Sequence, residues 1–474
     1  MKFIFYDLGL LVLFVIFVSY FLYKNRKNLQ KDGLLYLYRT KWGMNLIDKI
    51  GKKYKKTLSF LSYVSIITGY FLMGGMIYLF GKIVYLYIAY PNIVRAVKVP
   101  PIMPLVPYLP QAFKLSFLPD FYFITWIVVL AVIAITHEFS HGIFMRKYGI
   151  KIKSTGFGFF PFFFPIFLAA FVEQDEKSMN NSKSFHQMAV LSAGTFANII
   201  TAVFFFIIIV IFFLISFAPA GIQFNTYSYS ALDISKINSV NGINISNSNY
   251  SGILDLLNET GFNEIKTSNG NFITTKDFLI KQKANSKKIV LYDDSPAIRA
   301  GIEGAIIKVD GEKIKNWDDF AEILSEKSPG DNLTITSLID EKEVNYEITL
   351  GKDSEYPEKP WLGIGYSQTE RSGIIGRLID SLSSFKKEYI YYEPKFEAAL
   401  FIYNLLWWLI LISFSVALVN MLPVGIFDGG RFFYLTIFGI TKSEKKAERW
   451  FKWITYFFLF LLLVLMFFWA WSFV

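Results

Sequence analysis

Runs of about twenty consecutive apolar residues, each long enough to cross the hydrocarbon core of a bilayer as an α-helix, recur along the chain. The chain has 474 residues, and charged residues make up 18% of it. In ordinary soluble domains that share is roughly 25%. The composition therefore argues against a wholly soluble protein, and the high apolar content argues against a disordered one. The sequence predicts a polytopic α-helical membrane protein.

About six transmembrane helices are predicted from these runs. Their predicted ranges are 3–23, 58–80 or 58–90, 121–145, 188–217, 399–422 and 450–474. A single Lys precedes the first run, which contains Asp7 and has no small-residue cleavage site, so a retained helix is favoured over a signal peptide. A Pro-rich link follows the second run and contains Pro100, Pro101, Pro104, Pro107 and Pro110.

Residues 157–172 are also apolar, but Pro161 and Pro165 interrupt them. The stretch is short for a transmembrane helix and rich in proline. Non-helical backbone is tolerated at membrane depth only where protein or a wet cavity surrounds it. A re-entrant hairpin or loop is therefore predicted here.

Basic residues predict the orientation of the chain in the membrane. Residues 24–56 contain 11 Lys and Arg against Asp32 and Asp48, and Lys and Arg are enriched in cytosolic loops. Alternation of the helices then places the basic clusters near 146–153 and 442–449 in the cytosol as well. The net charge of +10 comes mainly from residues that flank apolar runs. Nucleic acid is therefore not expected as a partner.

Residues 218–397 are rich in polar residues and contain no long apolar run, which predicts an extracytoplasmic insert. Within it, the pattern I-x-x-V-[N/D]-G-x-x-I occurs at 237–245 and again at 306–314. Asn-Gly or Asp-Gly between alternating apolar residues predicts a β-hairpin. The two copies are interpreted either as an internal repeat or as two unrelated hairpins.

The chemistry is indicated first by His137-Glu138-Phe139-Ser140-His141, which fits the pattern H-E-x-x-H. On a helix, residues i and i+4 share a face, so both imidazoles can reach one metal ion. Glu138 lies beside them, where a carboxylate can take a proton from water at the metal. Ionisable groups inside a membrane are costly and usually functional, which argues against two structural histidines.

A zinc site needs a third protein ligand and an open position. The chain has no Cys, which excludes thiolate ligands and disulfides, and the remaining histidine, His186, is predicted to be a surface or cap residue. Carboxylate candidates in membrane context are Glu173, Asp175 and Asp428. Asp428 is favoured because Pro and Gly residues break the apolar segment around it, although an interfacial helix cap is an alternative.

Taken together, these motifs resemble the site-2 protease family, the zinc intramembrane metalloproteases. The family combines H-E-x-x-H on one helix with Asn-x-x-Pro…Asp-Gly on a later one, matched here by 137–141 and by 420–429. Between them, Gly194 to Asn198 is similar to the family's Gly-x-x-x-Asn motif, with Thr195 where Pro is usual. Residues 295–302, 306–314 and 317–324 resemble a PDZ domain, as found in many members of the family.

The resemblance implies one zinc ion held by His137, His141 and Asp428, with Glu138 as general base. It also implies that Asn198 and Asn420 are amide donors to the substrate backbone or the developing oxyanion. The substrates would be transmembrane proteins within the lipid bilayer, cleaved in regulated intramembrane proteolysis, with the active site toward the cytosol. The PDZ-like insert, α+β in class and clearest at about 285–350, would bind a peptide or protein.

Four segments are predicted on this basis. They are the N-terminal helices with the basic loop and Pro-rich link (1–120), the membrane core with H-E-x-x-H (121–217), the insert (218–397), and the C-terminal membrane core (398–474). Two alternatives remain open. One is another type of membrane zinc protease whose third ligand is a downstream Glu, and the other is a non-enzymatic scaffold or transporter with a degenerate metal site.

Overall fold

The computed structural model describes residues 3–32, 35–97, 100–101, 103–115, 117–159, 168–245, 249–268, 270–282, 287–353, 356–368 and 373–471. The chain forms two compact units. We call residues 1–212 with 400–474 the membrane unit, and residues 213–399 the insert unit.

The described residues form helices throughout both units. In chain order they are α1 (Phe3–Lys24), α2 (Met44–Lys53), α3 (Lys55–Ala89), α4 (Pro91–Val97), α5 (Leu109–Ala112), α6 (Phe123–Lys147), α7 (Glu176–Asn180), α8 (Ser184–Ser216), α9 (Tyr250–Asp255), α10 (Lys276–Ile280), α11 (Pro296–Ala300), α12 (Trp317–Ser325), α13 (Gly373–Ser383), α14 (Ala399–Asn420), α15 (Asp428–Thr441) and α16 (Glu444–Trp471). Six of them are long and apolar enough to cross a membrane, namely α1, α3, α6, α8, α14 and α16. The predicted number of spans is confirmed.

The strands lie in both units as well. They are β1 (Leu29–Asp32), β2 (Leu35–Thr40), β3 (Ile152–Phe159), β4 (Leu168–Gln174), β5 (Phe217–Ile222), β6 (Thr226–Tyr227), β7 (Tyr229–Asp233), β8 (Ile237–Val240), β9 (Ile243–Asn244), β10 (Asn263–Thr267), β11 (Gly270–Thr274), β12 (Lys288–Asp293), β13 (Ala305–Val309), β14 (Glu312–Lys313), β15 (Asn332–Ile339), β16 (Lys342–Thr349), β17 (Gly351–Lys352), β18 (Pro360–Trp361), β19 (Ile364–Gly365) and β20 (Ile390–Pro394).

The membrane unit contains a four-stranded antiparallel sheet in the order β1-β2-β3-β4. Strands β3 and β4 pair antiparallel where a hairpin was predicted, with Phe159 opposite Leu168. Residues 160–167, including Pro161 and Pro165, lie outside the described residues. The basic segment 24–56, predicted only as a loop, supplies β1, β2 and α2, because its alternating Leu and Tyr residues suit a strand beside β3.

The carboxylate in the first apolar run has a structural partner. Asp7 of α1 is buried and accepts hydrogen bonds from the backbone N–H groups of Phe123 and Ile124, at 2.7 and 2.9 Å. The hydroxyl of Tyr108 donates a third hydrogen bond to it at 2.6 Å. These N–H groups belong to the first turn of α6, where an anion is favoured by the unpaired donors and the helix dipole.

The helix that carries H-E-x-x-H is packed on several sides. Trp126 and Val129 of α6 lie in a buried cluster with Ile209 of α8 and Trp408 of α14. Further along, Gly142 of α6 faces Ile47 of the amphipathic helix α2 so closely that an added Cβ would lie 2.9 Å from Ile47 Cδ1. Such close packing restrains α6 along its length.

In the insert unit, both predicted hairpins are present, and the segments that follow them share one topology. The first copy runs β8, β9, α9, β10 and β11, and the second runs β13, β14, α12, β15 and β16. In each copy the opening strand pairs with its hairpin partner and with the third strand, which pairs with the fourth. The two copies therefore form an internal repeat rather than two unrelated hairpins.

The residue at the [N/D] position plays the same part in each copy. Asn241 exchanges hydrogen bonds with Glu264, donating its own N–H and accepting the Glu264 N–H on its side-chain oxygen. Asp310 makes the same pair of bonds with Thr334. Both Asn241 and Asp310 have positive φ, at 49° and 47°, which the turn requires and which Asn and Asp tolerate.

Candidate metal centre

His137 and His141 lie one turn apart on α6 with their rings turned toward each other. Their Nε2 atoms are 3.0 Å apart, and both residues are buried. A helical i, i+4 pair places the two rings on one face, as the motif predicts. The pair therefore offers two nitrogen ligands to one point.

Asp428 is the third member of the group. Its Oδ2 atom lies 3.4 Å from His137 Nε2 and 3.3 Å from His141 Nε2. Asp428 is the first residue of α15, which follows a non-helical turn after α14. Added Cβ atoms on Gly429 and Gly430 would lie 2.4 Å from backbone atoms of Met421 and Val424. The two glycines thus allow α15 to begin against the turn and to carry Asp428 to the histidines.

The three donor atoms suit a tetrahedral zinc ion. Ligand atoms held 2.0–2.1 Å from such an ion lie about 3.3 Å from one another. The observed separations of 3.0 to 3.4 Å match this spacing. Within the described residues, this is the one group of His, Asp and Glu side chains whose donor atoms converge closely enough to hold a metal ion.

The outer nitrogens of the two histidines are also engaged. His141 Nδ1 lies 2.7 Å from the carbonyl oxygen of Val190, which can only accept a hydrogen bond. His141 therefore carries its proton on Nδ1 and leaves Nε2 free for a metal. His137 Nδ1 lies 3.0 Å from the side-chain amide of Asn198, which is fully buried in α8.

A sequence profile of peptidase family M50 matches residues 125–465, a range that includes both histidines, Glu138 and Asp428. The chain belongs to peptidase family M50, the site-2 protease family. The protein is thus a membrane metalloprotease of a zinc-dependent family. It is also similar to an uncharacterized protein of Methanocaldococcus jannaschii, with 23% identity over 423 residues that cover 89% of this chain and 82% of that protein.

Glu138 of the M50 peptidase lies at a cleft of about 350 Å³ that His137, His141 and Asp428 also line. We call these three residues the metal-binding group, as the candidate ligands of one metal ion. Its Oε2 atom accepts a hydrogen bond from the backbone N–H of Val172 in β4, at 2.9 Å. Asn420, the last residue of α14, lines the same cleft, whereas Asn198 does not. The structure thus brings Asn420 to the cleft and Asn198 to the far side of His137.

The other sequence candidates lie outside the metal-binding group. Glu173 accepts a hydrogen bond from Arg39 at 2.7 Å and one from Ser154 at 2.6 Å. Burial acts to raise the pKa of the Glu173 carboxyl, but these two hydrogen bonds hold it below its usual range. The Asp175 side chain accepts a hydrogen bond from the N–H of Ser178 at 2.8 Å and so caps the N-terminus of α7.

His186, predicted to be a surface or cap residue, lies in the first turn of α8. Its ring stacks on Tyr148 with the centroids 4.0 Å apart and the planes 18° from parallel. It contributes no atom to the metal-binding group.

Two features of the site carried no clear signal in the sequence. A Cβ on Gly194 would lie 2.4 Å from His141 Nε2 and 2.6 Å from His137 Nε2, so only glycine leaves room for the two rings. Arg431 of α15 donates hydrogen bonds to Asn180 and Gln187, the latter at 3.1 Å, and so anchors the helix that bears Asp428. The spacing of the Gly-x-x-x-Asn motif pointed to Gly194 without giving its purpose.

Proposed function

We propose that this M50 peptidase is an intramembrane zinc metalloendopeptidase that hydrolyses peptide bonds within or near the transmembrane segments of membrane proteins. One observation carries the proposal: three donor atoms spaced for zinc lie beside the Glu138 carboxylate, which is hydrogen-bonded to a strand bordering the same cleft. A metal, a base and an extended backbone are the parts that peptide hydrolysis needs.

In this proposal His137, His141 and Asp428 hold zinc. When bound, zinc supplies Lewis-acid activation of water and of the scissile carbonyl. Glu138 takes a proton from the attacking water and delivers it to the leaving amine. The Val172 N–H orients the Glu138 carboxylate for this transfer.

The two asparagines have different roles. Asn420 lines the cleft, and its amide is placed to donate to the substrate backbone or to the developing oxyanion. Asn198 instead orients His137, whose Nδ1 atom it contacts. The Asn198 atom that faces Nδ1 is Nδ2, at 3.0 Å. Exchanging the amide oxygen and nitrogen would turn the oxygen toward the ring, so that His137 would carry its proton on Nδ1 and present a free Nε2 to the metal.

The substrate must expose its backbone before it can be cleaved. A transmembrane helix has no free backbone groups, and lipid cannot satisfy those that unwinding exposes. We propose that the unwound segment pairs with β4 as an added strand. The N–H of Val172 points away from β3, toward the free edge of β4. Because a strand repeats every two residues, the backbone N–H and C=O of Ala170 lie on that same edge.

The insert and the sidedness belong to the same proposal. Residues 285–350 would form a PDZ-like module, supported by the order of β13, β14, α12, β15 and β16, and would bind an extended chain at a sheet edge. The basic segment 24–56 would face the cytosol together with the metal centre, with the insert on the opposite side. The protein would then be a protease of regulated intramembrane proteolysis. Its functional segments would be 1–120, 121–217, 218–397 and 398–474.

The test is cleavage of a single-span model substrate in liposomes by the wild type and by Glu138→Gln, with zinc measured in both. We expect cleavage by the wild type alone and one zinc per chain in both proteins. Absence of both cleavage and zinc would favour the non-enzymatic scaffold or transporter. Full zinc content in Asp428→Ala would favour the other type of zinc protease, with a Glu as third ligand.

A further inference from the structure

The Pro-rich link of the membrane unit lines a partly open cavity against α14. The cavity has a volume of about 220 Å³, and its walls include Leu105, Pro110, Phe121, Trp408 and Val416. Among the described residues that line it, Ser415 and Asn420 are the polar ones. The metal centre and the proposed mechanism make no use of this space.

The walls of the cavity are held in place by hydrogen bonds to the backbone. The indole N–H of Trp126 donates to the carbonyl of Leu105 at 2.9 Å. The indole N–H of Trp408 donates to the carbonyl of Asp120 at 3.2 Å, and its ring lies 4.4 Å from that of Phe121. Because these bonds fix the link and the aromatic rings together, the cavity is a built feature of the fold.

The size of the cavity indicates what it can hold. An engineered apolar cavity of about 150 Å³ stays dry and binds benzene. The cavity beside α14 is larger, at about 220 Å³. It can therefore take one aromatic or branched aliphatic side chain, and its apolar walls would exclude a charged one.

The cavity and the active-site cleft are neighbours that share one wall residue. Asn420 lines both the cavity and the cleft that contains His137, Glu138 and Asp428. A chain held at the metal centre thus has this cavity beside it. We propose that the cavity is a substrate subsite, which receives a bulky apolar side chain close to the scissile bond and selects substrates by it. This inference rests on the proposed function.

The test uses two cavity variants and a control on the same helix. Val416→Phe fills the cavity and Ile412→Ala enlarges it, whereas Leu400→Phe adds a ring at an exposed position of α14. The substrates are single-span proteins in liposomes in which each residue near the cleavage point is replaced in turn by Ala, Leu, Phe, Trp and Asp. Cleavage is measured as kcat/KM for each combination of enzyme variant and substrate.

At one substrate position, we expect the wild type to prefer Leu or Phe over Ala by about tenfold or more, the scale set by apolar pockets. Val416→Phe should abolish that preference, Ile412→Ala should extend it to Trp, and Leu400→Phe should leave it unchanged. A uniform loss at every position, or an unchanged profile in both cavity variants, would overturn the subsite and favour a structural or lipid-filled cavity.

A binding measurement separates this inference from the proposed function. The same substrates are bound to Glu138→Gln in nanodiscs, with and without Val416→Phe, and dissociation constants are compared. Tighter binding of the Phe substrate than of the Ala substrate, lost on Val416→Phe, supports the subsite even if the wild type cleaves nothing. Equal binding of all the substrates overturns the subsite even if the wild type is an active protease.

Discussion

The Glu138 carboxylate and the Val172 backbone N–H are joined by a hydrogen bond of 2.9 Å. One residue belongs to the helix with the two histidines, and the other belongs to the outer strand of the four-stranded sheet. The contact therefore sets the distance between the proposed base and the strand at which a substrate would pair. A change in the strand should affect catalysis without affecting the metal ligands.

Replacement of Val172 by Pro is the direct test of this relationship. Proline has no N–H, so the hydrogen bond to Glu138 is lost. Hydrogen bonds to charged groups contribute about 1.5–3 kcal/mol, which corresponds to a fall in kcat of roughly ten- to a hundredfold. Zinc content should stay at the wild-type level. Val172→Ala keeps the N–H and is the control, and equal activity of the two variants would refute the positioning role.

Gly194 is predicted to control zinc affinity. A methyl group there would meet His141 Nε2 at 2.4 Å and His137 Nε2 at 2.6 Å, so Gly194→Ala should displace the ligand atoms. We expect zinc affinity to fall by about ten- to a hundredfold, the range seen when metal ligands lose their support. Competition with a chromogenic chelator measures it. Gly74→Ala in α3, where no atom lies within 4 Å of the added group, should leave affinity unchanged.

The sequence predicted the membrane spans and the metal-binding group for physical reasons that act locally. Apolar runs identify spans from composition alone, and H-E-x-x-H places two rings on one helical face whatever surrounds it. Asp428 was favoured from the Pro and Gly residues around it and again from the family motif. Its geometry at the two rings could not be predicted, because the turn that carries it depends on contacts with Met421 and Val424.

Other features could not be predicted because they depend on pairing between distant segments. Strand β2 pairs with β3, more than a hundred residues away, and with β1, within a segment whose charges indicated only a loop. Likewise, the position of Asn198 beside His137 Nδ1 depends on where α8 lies relative to α6. The spacing within the Gly-x-x-x-Asn motif does not say which way that amide points.

Asp7 is predicted to stabilise the membrane unit rather than the metal centre. Asp7→Leu would leave two N–H groups at the start of α6 and the Tyr108 hydroxyl without their acceptor. Loss of hydrogen bonds to a buried charged group should lower the free energy of unfolding by about 2–4 kcal/mol. Thermal unfolding in detergent measures the loss, and zinc bound to the folded protein should be unchanged. Asp7→Asn retains one acceptor oxygen and should have an intermediate effect.

Asp310 should make the second repeat of the insert sensitive to acid, whereas the first repeat has Asn241 at the equivalent position. The hydrogen bonds from Lys327 and from the Thr334 N–H hold the pKa of the Asp310 carboxyl below its usual range. A group with a lowered native pKa adds stability above its unfolded pKa of about 3.9 and loses it as the pH falls through the native value. Asp310→Asn removes this titration but keeps an oxygen that accepts the Thr334 N–H.

Hydrogen exchange on the full-length protein measures the effect locally. After correction for the intrinsic rate, the Thr334 amide should lose protection in the wild type as the pH falls from about 3.9 through the lowered native pKa of Asp310, since protonation of Asp310 weakens both of its bonds. The Glu264 amide, which donates a hydrogen bond to the Asn241 side chain, is the internal control and should keep its protection over the same pH range. In Asp310→Asn the Thr334 amide should behave like that of Glu264. An acid-dependent loss of the same size in the variant would show that another group controls this turn.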